Sequence, residues 1–191
     1  MPDTQRAETQ FLNSPDAALL TRVADGDMTA MKALYMAHAD AVGRFVRSRV
    51  HDEGEVADIV HDTMLKVWRA ASGFQGRASV RSWILTLARN CAVDHIRKQS
   101  RISLGDADQT LPDDAPDPEA VVNATQEATR LRTCIEGLPE RQRSVVHLAF
   151  YEDLTFAEIS RIESIPEGTV KSRIHHAKKL LMRCLSLAGR K

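Results

Sequence analysis

No stretch of this 191-residue sequence alternates polar and apolar residues in a convincing strand pattern, and no apolar run approaches bilayer-spanning length. The first absence removes classes built on sheets, and the second removes membrane insertion. Cysteine is scarce: Cys91, Cys134 and Cys184 are odd in number, widely spaced and free of any CxxC pair. That usage suits a reduced intracellular chain better than a disulfide scaffold. No Cys/His cluster offers a zinc site, so neither metal nor other cofactor is expected. The opening residues, MPDTQRAETQFLNSPD, lack the basic region and apolar run of a secretory signal. A soluble, cytoplasmic protein is expected. Net charge is also absent, with 26 Lys and Arg against 26 Asp and Glu, so any polyanion-binding surface must come from uneven distribution.

What is present is helical periodicity over almost every long segment, which sets the class as all-α. A first helix opens at NSPDAALLTRVADG, with Ser14 as N-cap, Pro15 as first helical residue and Gly26 as stop. A second covers roughly Met28 to Val50. In a third, near Glu53 to Ala71, Val56, Ile59, Val60, Thr63, Val67 and Ala71 share one side at 3.6-residue spacing. Glu55, Asp58, Asp62, Lys66 and Arg69 form the outward stripe, acidic toward its start. The turn SGFQGRAS carries two glycines, and a fourth helix from about Val80 to Gln99 is expected to bury Val80, Trp83, Ile84, Leu87, Cys91 and Ile96.

Charge then separates. Residues 101–127 hold Asp106, Asp108, Asp113, Asp114, Asp117, Glu119 and Glu127 against Arg101 alone, whereas residues 168–191 hold seven Lys and Arg and no acid. Pro112, Pro116 and Pro118, five aspartates and Gly105 mark 100–124 as an acidic, flexible linker. The expected organisation is a flexible tail over 1–13, a helical domain over 14–99, the linker, and a second small helical domain over 125–191.

The second domain carries two S/T-x-x-E patterns, Thr155 with Glu158 and Ser164 with Glu167, each able to form a capping box. They frame a short helix from Phe156 to about Ile162 and a longer one from Ile165 to about Leu187, which is helix-turn-helix spacing. On the longer helix Val170, Ile174, Ala177, Leu181 and Cys184 share one face. Ser172, His175, His176, Lys179 and Arg183 project oppositely, with Lys171 and Lys178 on one flank and Arg173 on the other. Such a helix can enter the major groove of duplex DNA, reading base edges while its cations meet phosphate. A lysine-rich helix end alone would only complement the helix dipole. Paired with the two helix starts, it points to DNA.

At this stage the sequence resembles bacterial RNA polymerase sigma factors of the group IV, extracytoplasmic-function family. EVADIVHDTMLKVWRAASGFQGRASVRSWILTLARNCAVDHIRK is similar to the family's region 2, and LPERQRSVVHLAFYEDLTFAEISRIESIPEGTVKSRIHHAKKLL to its region 4. Asp16 to Arg49 resembles the opening helices of region 2. The resemblance implies that Glu55, Asp58 and Asp62 dock on the clamp of the largest subunit of core RNA polymerase, and that the polymerase flap is a further contact. It also implies that the turn Phe74, Gln75, Gly76, Arg77, Ala78, Ser79, with Arg81 and Asn90, captures a flipped base of the promoter minus 10 element. A glycine-containing loop admits close backbone approach, Arg77 and Arg81 attract phosphate, and Gln75 or Asn90 can bond a base edge. Thr169, Lys171, Ser172, Arg173, His175, His176 and Lys179 are implied to read the minus 35 element. The linker is implied to thread the polymerase channels, and an anti-sigma factor is the implied controlling partner. In this sequence Glu163, Ser164 and Ile165 stand where leucine, glycine and isoleucine are more usual.

Two other function classes compete with this reading. A free-standing helix-turn-helix regulator would share the C-terminal block but needs no single-strand pocket around Phe74 to Arg97. An enzyme could be sought at Cys91, Asp94 and His95, but Cys91 falls on the apolar stripe, and a helical i,i+4 pair is no evidence of a nucleophile with its base. No catalytic residue is assigned.

Overall fold

The computed structural model describes residues 11–103 and 124–188, and every regular element among them is helical. In chain order these are α1 (Pro15–Ala24), α2 (Met28–Arg47), α3 (Glu53–Ala70), a 3-10 turn (Ala71–Gly73), α4 (Val80–Ser103), α5 (Ala124–Glu136), α6 (Glu140–Phe150), α7 (Phe156–Glu163) and α8 (Glu167–Ala188). The expected all-α class is the class observed. The acidic stretch 104–123 and residues 1–10 lie outside the described residues, and α4 runs to Ser103, past the expected stop at Gln99.

Local chemistry sets the helix starts. Ser14 Oγ accepts from the Ala17 amide at 3.2 Å, and Asp27 Oδ1 accepts from Thr29 and Ala30 at 2.8 and 3.1 Å. Asp52 accepts from the Glu55 amide at 2.9 Å. Each bond satisfies an amide that the helix itself leaves free, a contribution of about 1 kcal/mol. Gly26 ends the first turn at φ +87°, the left-handed backbone for which glycine is suited.

The N-terminal half packs α1 on α2, α2 on α3, and α4 on both α2 and α3. Phe45, Leu20, Leu34, Ile59, Ile84 and Leu85 are its largest fully enclosed side chains. All six residues expected on the inner face of α3 are buried. On α4, Val80, Ile84 and Cys91 are buried as expected, but Trp83, Leu87 and Ile96 are only half-buried. Leu85, Ala88 and Ala92 share the inner face instead.

In the C-terminal half α5, α6 and α7 pack on α8, which buries Val170, Ile174 and Ala177. The halves touch where α4 meets α7 and α2 meets α6, and one buried apolar cluster runs through both.

Two expectations are corrected here. Cys134 and Cys184 are joined in a disulfide, with Cα atoms 5.9 Å apart, whereas the sequence had suggested reduced thiols. Their spacing of 50 residues carries no signature, because it is the packing of α5 on α8 that brings them together. Cys91 alone remains a free thiol, and it is buried. Second, Ser164 does not cap the long helix. It closes α7 in the left-handed region at φ 55°, ψ 46°, and α8 begins only at Glu167. Pro166 explains the delay: a residue preceding proline is pushed out of the helical region, so Ile165 cannot open a helix. The Pro166 carbonyl instead accepts the Val170 amide at 3.1 Å, which fits proline just ahead of a helix.

Candidate nucleic-acid interface

The turn from Gly73 to Ser79 leaves α3 through the 3-10 turn and enters α4, whose start is fixed by Ser79 Oγ accepting from the Ser82 amide at 3.1 Å. Gly76 takes φ +68°, the left-handed backbone that favours glycine, and a Cβ there would come within 2.5 Å of Leu12 Cγ, so the exposed Leu12 side chain would have to shift. Leu12, in the expected tail, thus lies against the turn. Gln75 and Arg77 are exposed, Ala78, Ser79 and Arg81 are half-buried, and Phe74 sets its ring edge-on to Trp83 at 5.5 Å and 63°. Asn90 is exposed on α4, with Oδ1 accepting from Arg89 at 3.3 Å. Trp83 packs, half-buried, against the main apolar cluster and also lines the rim of this site. A cavity of about 280 Å³ opens beside it, lined by Phe74, Gln75, Arg77, Ala78, Ser82 and Trp83 from the N-terminal half and by Glu158, Arg161 and Ile162 of α7.

The helix-turn-helix pairs α7 with α8. Its first start is the expected capping box: Thr155 Oγ1 accepts the Glu158 amide at 3.3 Å, and Glu158 Oε2 accepts the Thr155 amide at 3.0 Å. In the turn, Ser160 Oγ donates to the Ile165 carbonyl at 2.5 Å. On α8, Lys171, Ser172, His175, His176 and Lys179 are all exposed on the face away from the core, and Thr169 is half-buried. The rings of His175 and His176 stand 6.0 Å apart. Arg173 parts from this set. It lines a groove of about 460 Å³ between the halves, with Arg49, Arg89, Arg97, Arg141, Glu140 and Glu163.

On α3, Asp58 and Asp62 are exposed. Glu55 is half-buried, accepts from Gln99 and sits 3.4 Å from His95 Nε2. The stripe therefore offers two free carboxylates and one partnered one. Among the described residues no group of three metal-ligating side chains converges, and no helix is long and apolar enough to cross a membrane.

The residues that sequence reasoning missed lie between the halves. Glu152, whose side chain is fully buried, accepts from Arg44 at 3.1 Å and also from Arg81. Glu163, with 5% of its side chain exposed, takes Arg49 Nη2 on both oxygens at 2.6 Å and Ser144 Oγ at 2.9 Å. Glu158 accepts from Ser82 Oγ at 2.8 Å, and Arg161 donates to the Arg77 carbonyl at 2.9 Å. Arg143 is buried and donates to the Ser48 carbonyl at 2.8 Å; burial lowers its pKa. One signal was visible beforehand: a glutamate, Glu163, where the resemblance expects leucine.

Comparison with known proteins agrees in both halves. The family described as sigma-70 region 2 matches residues 34–102, and sigma-70 region 4 matches residues 128–181. The extracytoplasmic-function RNA polymerase sigma factor RpoE of Cereibacter sphaeroides is 35% identical over 88% of this chain and 94% of its own. The factor SigK of Mycobacterium sp. strain JLS is 30% identical over 97% and 98%. Among solved structures, the sigma factor RpoE of Bartonella quintana, determined with the anti-sigma factor NepR, superposes with a TM-score of 0.69 at 21% identity. It covers 81% of this chain and 96% of its own, a likeness of fold.

Proposed function

The chain belongs to the extracytoplasmic-function family of RNA polymerase sigma factors, and from that premise we propose how its residues share the work of transcription initiation. The exposed carboxylates Asp58 and Asp62, with Glu55 beside them, dock on the clamp of core polymerase, where complementary charge speeds and orients association. The turn Phe74–Ser79, with Arg81 and Asn90, holds the displaced strand at the minus 10 element. Arg77 and Arg81 meet phosphate, and the Phe74–Trp83 ring pair offers an unstacked base a surface to stack on. Lys171, Ser172, His175, His176 and Lys179 read the upstream duplex, with Thr169 and Arg173 at the edges of that face.

The observation that carries this reading is the pairing, in one chain, of the Phe74–Ser79 turn, edged by the Phe74 and Trp83 rings, with an outward cationic face on α8. The work is done by binding and not by catalysis, in the cytoplasm with the polymerase, and an anti-sigma factor holds the chain inactive until it is needed.

The test is in vitro transcription by core polymerase on a genomic template library. Addition of the protein is expected to yield discrete start sites sharing two spaced elements. Lys171→Ala with Lys179→Ala is expected to weaken duplex binding and to reduce the slope of log affinity against log salt by about 2. Duplex binding without recruitment of core subunits in a pull-down would instead make the chain a free-standing regulator.

A further inference from the structure

Along the seam between the halves, where α4 meets α7 and α2 meets α6, runs the groove of about 460 Å³ that takes in Arg173. A volume of this order is usual for a small-molecule site and is too small for a duplex. Five arginines line it: Arg49 just past α2, Arg89 and Arg97 on α4, Arg141 on α6 and Arg173 on α8. The two glutamates that line it, Glu140 and Glu163, both give their carboxylates to Arg49. Four guanidiniums are therefore left without a carboxylate. Arg89 donates only to neutral oxygens, Asn90 Oδ1 at 3.3 Å and the Glu163 carbonyl at 3.4 Å. The side chains of Arg97, Arg141 and Arg173 have no hydrogen-bond or ion-pair partner among the described residues.

Two further observations point to an anion. The Nε–H groups of Arg49, whose side chain is 7% exposed, and of Arg89 are buried with no protein acceptor. Buried donors in folded proteins are as a rule bonded, so these two call for an acceptor from outside the chain. The groove also meets the start of α6: Glu140 and Arg141 lie in its first turn, and its N-cap, Pro139, supplies no side-chain oxygen. The positive end of the helix dipole adds to the potential there.

From this geometry we infer that the groove is a binding site for a small oligophosphate anion, a chain of two or three phosphates held by Arg89 and Arg97 of one half and Arg141 and Arg173 of the other. Guanidinium forks match pairs of phosphate oxygens, and clustered cations that repel one another are relieved by a counter-charge. A single phosphate group carries about two negative charges, too few for four free guanidiniums. Free inorganic oligophosphate and the tail of a nucleoside di- or triphosphate present the same chemistry to the groove. Because both halves line the site, the bound anion stabilises their docked arrangement. Neither polymerase nor DNA is needed, so the site stands apart from the transcription roles.

The test is isothermal titration calorimetry on the full chain in about 0.1 M salt, with tripolyphosphate, adenosine triphosphate and orthophosphate as probes. Tripolyphosphate is expected to bind saturably, one per chain, and about tenfold or more tighter than orthophosphate. Adenosine triphosphate binding as tightly or tighter makes a nucleotide the source of the phosphates; binding about tenfold weaker makes free oligophosphate the source. Either result supports the site. Arg97→Gln and Arg141→Gln, exposed and one from each half, are each expected to weaken tripolyphosphate binding about tenfold through loss of one charge-assisted contact. Lys98→Gln removes the same charge next to Arg97 but outside the groove, and should change affinity less than about twofold. Circular dichroism verifies that all three variants fold.

Absence of saturable tripolyphosphate binding, or an affinity no better than that of orthophosphate, would overturn the inference. So would a loss in Lys98→Gln equal to that in Arg97→Gln, which is the mark of unspecific attraction. Variants that lose duplex affinity but keep tripolyphosphate affinity would give these cations to DNA instead. Failure of the sigma-factor roles is read separately, as absent promoter-directed transcription by the wild-type chain.

Discussion

At the scale of single residues, His147 links the C-terminal half to acidity. It lies on α6 with its ring stacked on Tyr151 at 4.8 Å, and burial pushes its pKa from 6.5 down to about 4, against an opposing pull from Glu152 and a reinforcing push from Arg44. The unfolded chain therefore takes up the proton first as pH falls. Stability from this group is full above about pH 6.5 and is lost as pH falls from there toward 4, by up to about 3 kcal/mol. Burial lowers the His38 pKa too, so it acts with the same sign. Urea unfolding at pH 7.5 and 4.5 is expected to show this loss in wild type and a smaller one in His147→Gln; equal losses would remove His147 as the cause. None of this was legible in the sequence, because the burial of one histidine depends on what packs over it. Glu163 and Ser164 were legible only as oddities. The structure gives each a reason: Ser164 supplies the left-handed residue that ends α7, and Glu163 reaches Arg49 across the seam.

At the scale of elements, helix starts and inner faces were readable because local chemistry decides them. Ser14 with Pro15, the Thr155 box and the α3 stripe all follow from side chains within one or two turns. The start of α8 departs from the Ser164–Glu167 pattern because Pro166, inside it, bars Ile165 from the helical region. The disulfide was invisible because it joins separate helices. It matters most where the core is least: among the described residues, besides the main cluster, the C-terminal half has only Leu138, Val146 and Ala177, with Leu181, around the α6–α8 contact. Cross-linking two positions 50 residues apart removes unfolded-state freedom, a stabilisation of about 2–4 kcal/mol. Thermal unfolding is expected to begin at a lower temperature with reductant, and Cys134→Ser is expected to reproduce the reduced curve without further response to reductant. A transition insensitive to reductant would show that the bond adds nothing to stability.

At the scale of the whole molecule, the sequence announced two helical halves but not how they sit together. The bonds between them span 108 residues from Arg44 to Glu152 and 114 from Arg49 to Glu163, distances over which no periodicity operates. Their docking has a thermodynamic consequence that can be read without DNA. Both tryptophans, Trp68 and Trp83, lie in the N-terminal half, so their fluorescence follows that half alone, whereas far-ultraviolet circular dichroism follows the helices of both. With the seam closed, unfolding the C-terminal half strips the cover from Arg44, Arg49 and Arg81 and from the apolar cluster that runs through both halves, and so removes support from the other half. The two signals are then expected to trace one urea transition, as a cooperative unit should. Arg44→Glu cuts this coupling: the dichroism midpoint should fall below the fluorescence midpoint, and reductant should widen the gap by weakening only the C-terminal half. Separate midpoints in the wild-type chain would mean that the seam does not couple the halves.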